Sequence, residues 1–192
     1  MGMEKVKYIK LGSNGHIAIV DAEDYDDLVK HKWGVKKGKS TAYAVRHKKK
    51  NEVLIAAKKV RMHREILSKI SEIPEKMVID HINHNGLDNR KANLRVCTVS
   101  ENVRNSRTFK NKKVKYKGVF MDLSSAKNPY RACIRVDGKR ISLGQYPTPE
   151  KAARAYNAAA VKYFGAFAYL NDVPDTDEED SKELTQSELE LS

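Results

Sequence analysis

Two adjacent residues open the functional reading, Asp80 and His81. A carboxylate offers hard oxygen to a divalent cation, and an imidazole titrates near neutral pH, where it can take up a proton. Such a pair alone is common and usually structural. Here it heads a longer polar pattern: Asp88-Asn89-Arg90, then Asn93-Leu94-Arg95, Thr98, Asn102 and Asn105. Two further histidines lie near it, His84 within the polar stretch and His63 upstream in Met62-His63-Arg64.

The elements that carry these residues are short. Met77-Val78-Ile79 reads as a strand running into Asp80-His81, and strand alternation sends those two side chains to opposite sides. Residues 83–90 are rich in loop formers. Leu94, Val96 and Thr98 alternate as a second strand. Thr98 and Glu101 have the spacing of a capping box, which starts a helix with Asn102 in its first turn and Asn105 one turn on.

The segment Val78–Asn105 closely resembles the HNH endonucleases, in particular phage and intron-encoded homing endonucleases with a DH…DNR…NLR…T…N pattern. Met62-His63-Arg64 resembles an element found upstream in the same proteins. The resemblance spans roughly residues 5–107 and implies hydrolysis of phosphodiester bonds in double-stranded DNA. That reaction needs an activated water and stabilisation of the charge that develops on the phosphate. The resemblance implies His81 as general base and Asn93 as the residue that holds the loop so that His81 is oriented. Asp80 and Asn102 are the implied ligands of Mg²⁺ or Mn²⁺, with Asn105 as the competitor of Asn102. Arg95 and Arg104 are candidate phosphate contacts. Cys97 and Cys133 form neither a CxxC zinc site nor a disulfide framework.

A second pattern fills residues 116–171. Asp137-Gly138 is a two-residue hairpin signal, and it sets Val136 opposite Lys139, Arg135 opposite Arg140 and Ile134 opposite Ile141. Alternation then gathers Val119, Met121, Ala132, Ile134, Val136, Ile141 and Leu143 on one face. The other face carries Phe120, Arg131, Cys133, Arg135, Arg140 and Ser142. Directly opposed arginines repel, which makes sense where an anion lies over them. Asp122 is on that face but closes the first strand, and it is not expected to pair with them. Thr148, Pro149 and Gly165 mark a helix whose small-residue face includes Ala152, Ala153, Tyr156, Ala159, Ala160 and Tyr163. YKGV, RACIRV, LGQY and AARAYNAAA resemble the APETALA-two/ethylene-response-factor DNA-binding domain, which reads the major groove through its sheet. Arg135 and Arg140 match arginines of that family. Phe120 and Ser142 depart from it, so its target sequence does not carry over.

The 192 residues carry a net charge of +12, which favours a polyanionic partner. Residues 171–192 hold nine acids against Lys182, a net of −8 that leaves +20 on the rest. That tail is expected to be disordered. Residues 108–115 read as a basic linker, with Lys113 in it and Lys117 just beyond as DNA contacts beside Arg131, Arg135 and Arg140. Residues 1–62 read as an α+β segment without chemistry: a strand at His16–Val20, a helix over Ala22–Lys30 capped by Asp21, an aromatic anchor at Trp33 and a strand at Thr41–Arg46. No apolar stretch approaches the length of a membrane span, and no secretion signal is read at the start.

The expected fold is therefore α+β. A ββα-metal HNH module (residues 63–107) follows the N-terminal segment, and a three-stranded antiparallel sheet packed on one helix (116–171) precedes the acidic tail (172–192). The expected protein is a cytoplasmic, metal-dependent endonuclease acting as a monomer. The alternative from another class is a non-catalytic DNA-binding transcriptional regulator. An RNA-binding module is disfavoured by the scarcity of exposed aromatics suited to base stacking.

Overall fold

The computed structural model describes residues 5–38, 40–49, 58–106 and 114–174. The basic linker around Lys113 and the acidic tail beyond residue 174 lie outside the described residues. The chain divides into two compact units, Met1–Ser106 and Arg107–Ser192.

The first unit starts with a hairpin of β1 (Val6–Leu11) and β2 (His16–Asp21), followed by α1 (Ala22–Leu28). An antiparallel sheet of β3 (Gly34–Lys37), β4 (Ala42–His47) and β5 (Lys59–Arg61) comes next, and β5 runs directly into α2 (Met62–Ser68). The unit closes with the antiparallel pair β6 (Val78–His81) and β7 (Leu94–Cys97), then α3 (Val99–Arg104). One apolar core runs through all of these. It joins Ile9, Leu11, Ala18, Val20, Leu28, Trp33 and Ala44 to Met62, Ile66, Leu67 and Leu94, so residues on both sides of position 62 share it.

Two expectations for this unit are corrected. Helix α1 ends at Leu28, and Val29 is exposed rather than part of the core. Asp21 stands at the N-cap but makes no capping bond to α1. Its carboxylate instead accepts the backbone N–H of Lys91 at 2.8 Å, tying the end of β2 to the segment before β7. Between β1 and β2 the chain turns through Gly12-Ser13-Asn14-Gly15, with Gly12 and Gly15 at positive φ, while helix α2 has no side-chain cap.

The second unit is a sheet in the order β10-β9-β8 with one helix on it. It comprises β8 (Val119–Met121), β9 (Tyr130–Val136), β10 (Lys139–Tyr146) and α4 (Pro149–Phe164). Asp137 and Gly138 have φ of 47° and 80°, the left-handed pair that a two-residue hairpin turn needs. The expected register holds: Lys139 lies opposite Val136, Arg140 opposite Arg135 and Ile141 opposite Ile134. Beyond Ser142 a bulge shifts the ladder, and Gly144 supplies the φ of 116° there. Val119, Ala132 and Ile134 pack with Ala152, Ala153, Tyr156 and Ala160 of the helix. Thr148 caps α4, its hydroxyl accepting the N–H of Lys151.

Three face assignments change. Met121 is exposed, because it pairs with Tyr130 at the end of a three-residue strand. Cys133 is buried although alternation puts it on the arginine side. Phe164 rather than Tyr163 closes the apolar side of α4, following Tyr156 and Ala160 at four-residue spacing. Asn171 closes the unit, its carboxamide bonding both the N–H and the C=O of Lys117.

Candidate functional site

Asp80 and His81 end β6, and both are buried. The β6–β7 register sets Arg95 directly opposite Asp80. Its guanidinium donates to one oxygen of that carboxylate from Nε at 3.0 Å and from Nη2 at 2.7 Å. The same oxygen accepts from Nδ2 of Asn105 at 2.8 Å.

The capping box explains how Asn105 gets there. Thr98 and Glu101 bond each other reciprocally and start α3 immediately after β7. The helix is short, and its C-cap residue, Asn105, returns buried to the end of β6. The Asn102 side chain, expected against Asp80, makes no hydrogen bond among the described residues and is half-buried, whereas Asn105 is buried on Asp80. Arg95, expected on phosphate, is bound to Asp80 because the strand pairing puts it there. Arg104 is half-buried in the last turn of α3.

The loop between β6 and β7 is held from inside and outside. Asn93 donates to the C=O of Asp88 at 2.8 Å and to Oδ1 of Asn83 at 3.0 Å, and its own Oδ1 accepts the N–H of Asn83 at 2.9 Å. One amide thus joins both ends of the loop. Asp88 is buried and binds Arg90 through two hydrogen bonds at 2.8 and 2.7 Å. From outside, the backbone of Ile19 on β2 pairs with Leu87 and Asn89. Thr41 accepts the N–H of Gly86, and a Cβ at Gly86 would lie 2.3 Å from the carbonyl oxygen of Ala42. Asp88 and Arg90 thus brace each other, and the backbone N–H of Asn89 ties the loop to Ile19 of the hairpin.

His81 does not stand alone in its pocket. The His63 ring, from the first turn of α2, lies 4.9 Å from it at a steep angle. Tyr43 from β4 touches both, with centroids 5.8 Å from His63 and 5.9 Å from His81. Among the described residues, three buried polar atoms in this region have no partner: Nδ1 of His63, Nε2 of His81 and Oδ1 of Asn89. Burial pushes His81 below the ordinary imidazole value, while Asn89, Asp80 and Asp88 oppose the shift. Burial thus favours the neutral imidazole, and its Nε2 has no hydrogen-bond partner among the described residues. Sequence reading gave His63 no definite role, and Tyr43 none at all. For His63 the signal was the Met62-His63-Arg64 resemblance, and for Tyr43 only its place in a strand read as core.

The donor set suits one class of metal. Asp80 offers a carboxylate oxygen, and Asn105 meets it through its amide N–H, so its own Oδ1 would face an ion only after the carboxamide turns over; among the described residues no group of three or more His, Cys, Asp or Glu could hold an ion. A carboxylate with a neighbouring carboxamide suits a Mg²⁺-like ion completed by waters and phosphate oxygens, not a closed zinc site.

On the second unit, Arg135 and Arg140 lie side by side and exposed, with the Arg140 guanidinium 4.9 Å over the Phe120 ring. Arg131 is paired: its Nη2 lies 2.6 Å from Asp122. Asp122 does reach the open face, because β8 is the direct neighbour of β9. Lys117 places its ammonium 5.3 Å over the Tyr169 ring.

A profile of HNH endonucleases matches residues 68–104, which span β6, β7 and α3. An uncharacterized HNH endonuclease of Acanthamoeba polyphaga mimivirus is 33% identical over 162 residues, covering 83% of this chain and 76% of that protein. The chain belongs to the HNH endonuclease family. It is accordingly a nuclease, and HNH nucleases generally use divalent metal ions. No solved structure matches the chain. Among the described residues no helix is long and apolar enough to cross a membrane.

The buried His63 yields a stability prediction. Burial, with like charge from His81, Arg61 and Arg64, pushes it from 6.5 down to about 2. The unfolded chain therefore takes up this proton first as pH falls through about 6.5. Stability from this group is complete above that value and is lost on acidification, at up to about 1.4 kcal/mol per pH unit. The difference between wild type and His63→Phe, by denaturant titration from pH 7 to 4, should show this slope. A difference independent of pH refutes it.

Proposed function

We propose that the chain is a metal-dependent endonuclease of double-stranded DNA, cutting at Asp80, His81 and Asn105 and targeted by an AP2-like C-terminal unit. One observation carries the reading: a carboxylate and a carboxamide meet in a buried cluster beside a neutral histidine with an unpartnered nitrogen. His81 accepts the proton of the attacking water. Asp80 would hold Mg²⁺ or Mn²⁺, joined by Oδ1 of Asn105 once its carboxamide turns, and the ion would supply Lewis-acid stabilisation of the charge building on the phosphate. Arg95 orients the Asp80 carboxylate, and Asn93 keeps the loop closed so that the end of β6 stays in place. Asn105 replaces Asn102 as the second ligand because it is the asparagine that reaches Asp80.

The C-terminal unit supplies position. Its three-stranded sheet leaves the side away from α4 open, and Arg135 and Arg140 stand there together. Arg131 orients that face through Asp122, and Lys117 flanks it.

His81→Ala should lower the cleavage rate of supercoiled plasmid by about 10²–10⁴ while leaving binding intact. Wild-type cleavage by this variant rules out His81 as the base. Asn105→Ala should shift the Mg²⁺ titration of activity to higher concentration, and Asn102→Ala should leave it in place. The reverse pattern returns the ligand role to Asn102. Replacing Arg135 or Arg140 by Ala should cost about 1–3 kcal/mol on a cognate site if it reads a base edge. Unchanged affinity for the double variant, with the fold kept by circular dichroism, removes the sheet as the DNA-facing surface.

A further inference from the structure

We infer that one face of the β3–β4–β5 sheet is a phosphate-docking surface of the nuclease unit itself, laying duplex DNA across Tyr43 and against His81. The inference rests on the nuclease reading above and extends it to a region that the HNH profile does not include.

Charge is the first observation. Residues 34–61 hold ten lysines and arginines against the single acid Glu52. The positive charge falls in a segment whose apolar pattern reads as plain core.

Geometry is the second. Alternation divides the sheet sharply. Val35, Ala44, Arg46 and Val60 lie on one side, where Ala44 joins the core and Arg46 is buried on Glu65. Lys36, Tyr43, Arg61, His47 and Lys59 lie on the other, together with the buried Val45. Tyr43 is the centre of that second face. Lys36 is its cross-strand partner on β3, and the Arg61 guanidinium sits 5.6 Å from its ring on the β5 side. Lys36, Arg61 and Lys59 are exposed, and among the described residues none of them pairs with an acid. Three cations without acids on one face cost repulsion unless an anion covers them.

Adjacency is the third. The Tyr43 ring contacts His81 at 5.9 Å and meets the β6–β7 loop at Gly86. A phosphate backbone lying along Lys36, Tyr43 and Arg61 is thereby delivered to the base. Arg95, held on Asp80, is not needed to bring it there. The partner chemistry is a double-stranded polyphosphate, bound through its backbone and without sequence preference at these residues.

The test uses the full chain in a His81→Ala background, with duplex DNA of fixed sequence, and reads affinity against salt. Lys36→Gln/Lys59→Gln/Arg61→Gln should flatten the slope of log K against log salt by about 0.9 for each phosphate no longer neutralised. In the catalytically active background the same triple substitution should raise KM and leave kcat at saturating DNA nearly unchanged. Lys36→Gln/Lys59→Gln, which spares the stacking of Arg61 on Tyr43, should flatten the slope by about two thirds as much. Lys10→Gln/Lys32→Gln, an equal charge change elsewhere on the unit, should not alter the slope. An unchanged slope and KM for the double Lys36/Lys59 variant, with a wild-type melting curve, overturns the inference. An equal loss for the Lys10/Lys32 pair also overturns it, since that would be net charge rather than a surface. The nuclease reading fails separately, if the wild-type chain with Mg²⁺ or Mn²⁺ leaves duplex DNA uncut.

Discussion

The nuclease unit depends on satisfying a buried carboxylate. Asp80 cannot stay in the interior without hydrogen bonds, and a single oxygen takes three, two from Arg95 and one from Asn105. Those bonds draw β7 and the end of α3 onto the end of β6. The arrangement around the end of β6 thus follows from one polar group being buried. The same donors crowd the oxygen proposed to hold metal, so binding an ion means exchanging protein donors for a cation. A Mg²⁺-like ion suits such an exchange, since it keeps waters and phosphate as its remaining partners.

Around this centre, the parts of the chain that carry no catalytic group act as fixtures. The β1–β2 hairpin holds the loop through the backbone of Ile19, and Asp21 reaches the N–H of Lys91. Lys91 in turn binds Glu23 and Asp24 at the start of α1. Thr41, just before β4, adds its hydroxyl, and Ala42 makes the close approach at Gly86. Helix α2 supplies His63 behind His81. A loop carrying Asn83, His84, Asn85 and Gly86 would be mobile by composition. Its bonds to β2 and to Thr41 explain why it presents a defined end of β6 instead.

The second unit solves a different problem. Its helix uses alanines at Ala152, Ala153, Ala159 and Ala160 to lie close on a thin sheet, and the bulge after Ser142 keeps Leu143 on the packed side. That leaves the other side to polar contacts, where Arg131 is braced by Asp122 while Arg135 and Arg140 stand exposed. The two units have separate cores, so each can vary without disturbing the other's.

The features legible in the chain alone are local ones. The Asp137-Gly138 turn imposes the β9–β10 register, because a left-handed pair closes a two-residue hairpin with a twist that matches the strands. Thr98 and Glu101 set the start of α3, because the cap is made within four residues. The DH…DNR…NLR spacing marks the nuclease centre. Packing, by contrast, selects which side chains meet. Asn102 and Asn105 are one helical turn apart and chemically identical, and only the packing of α3 on β6 selects Asn105. Arg95 is legible as a cation, but its pairing with Asp80 requires the strand register. Tyr43 and His63 lie 38 and 18 residues before His81 in the chain, and nothing local connects them to it. Their contact exists because one hydrophobic core folds β4 and α2 against β6. Long-range packing of that kind leaves no spacing signature in a single sequence.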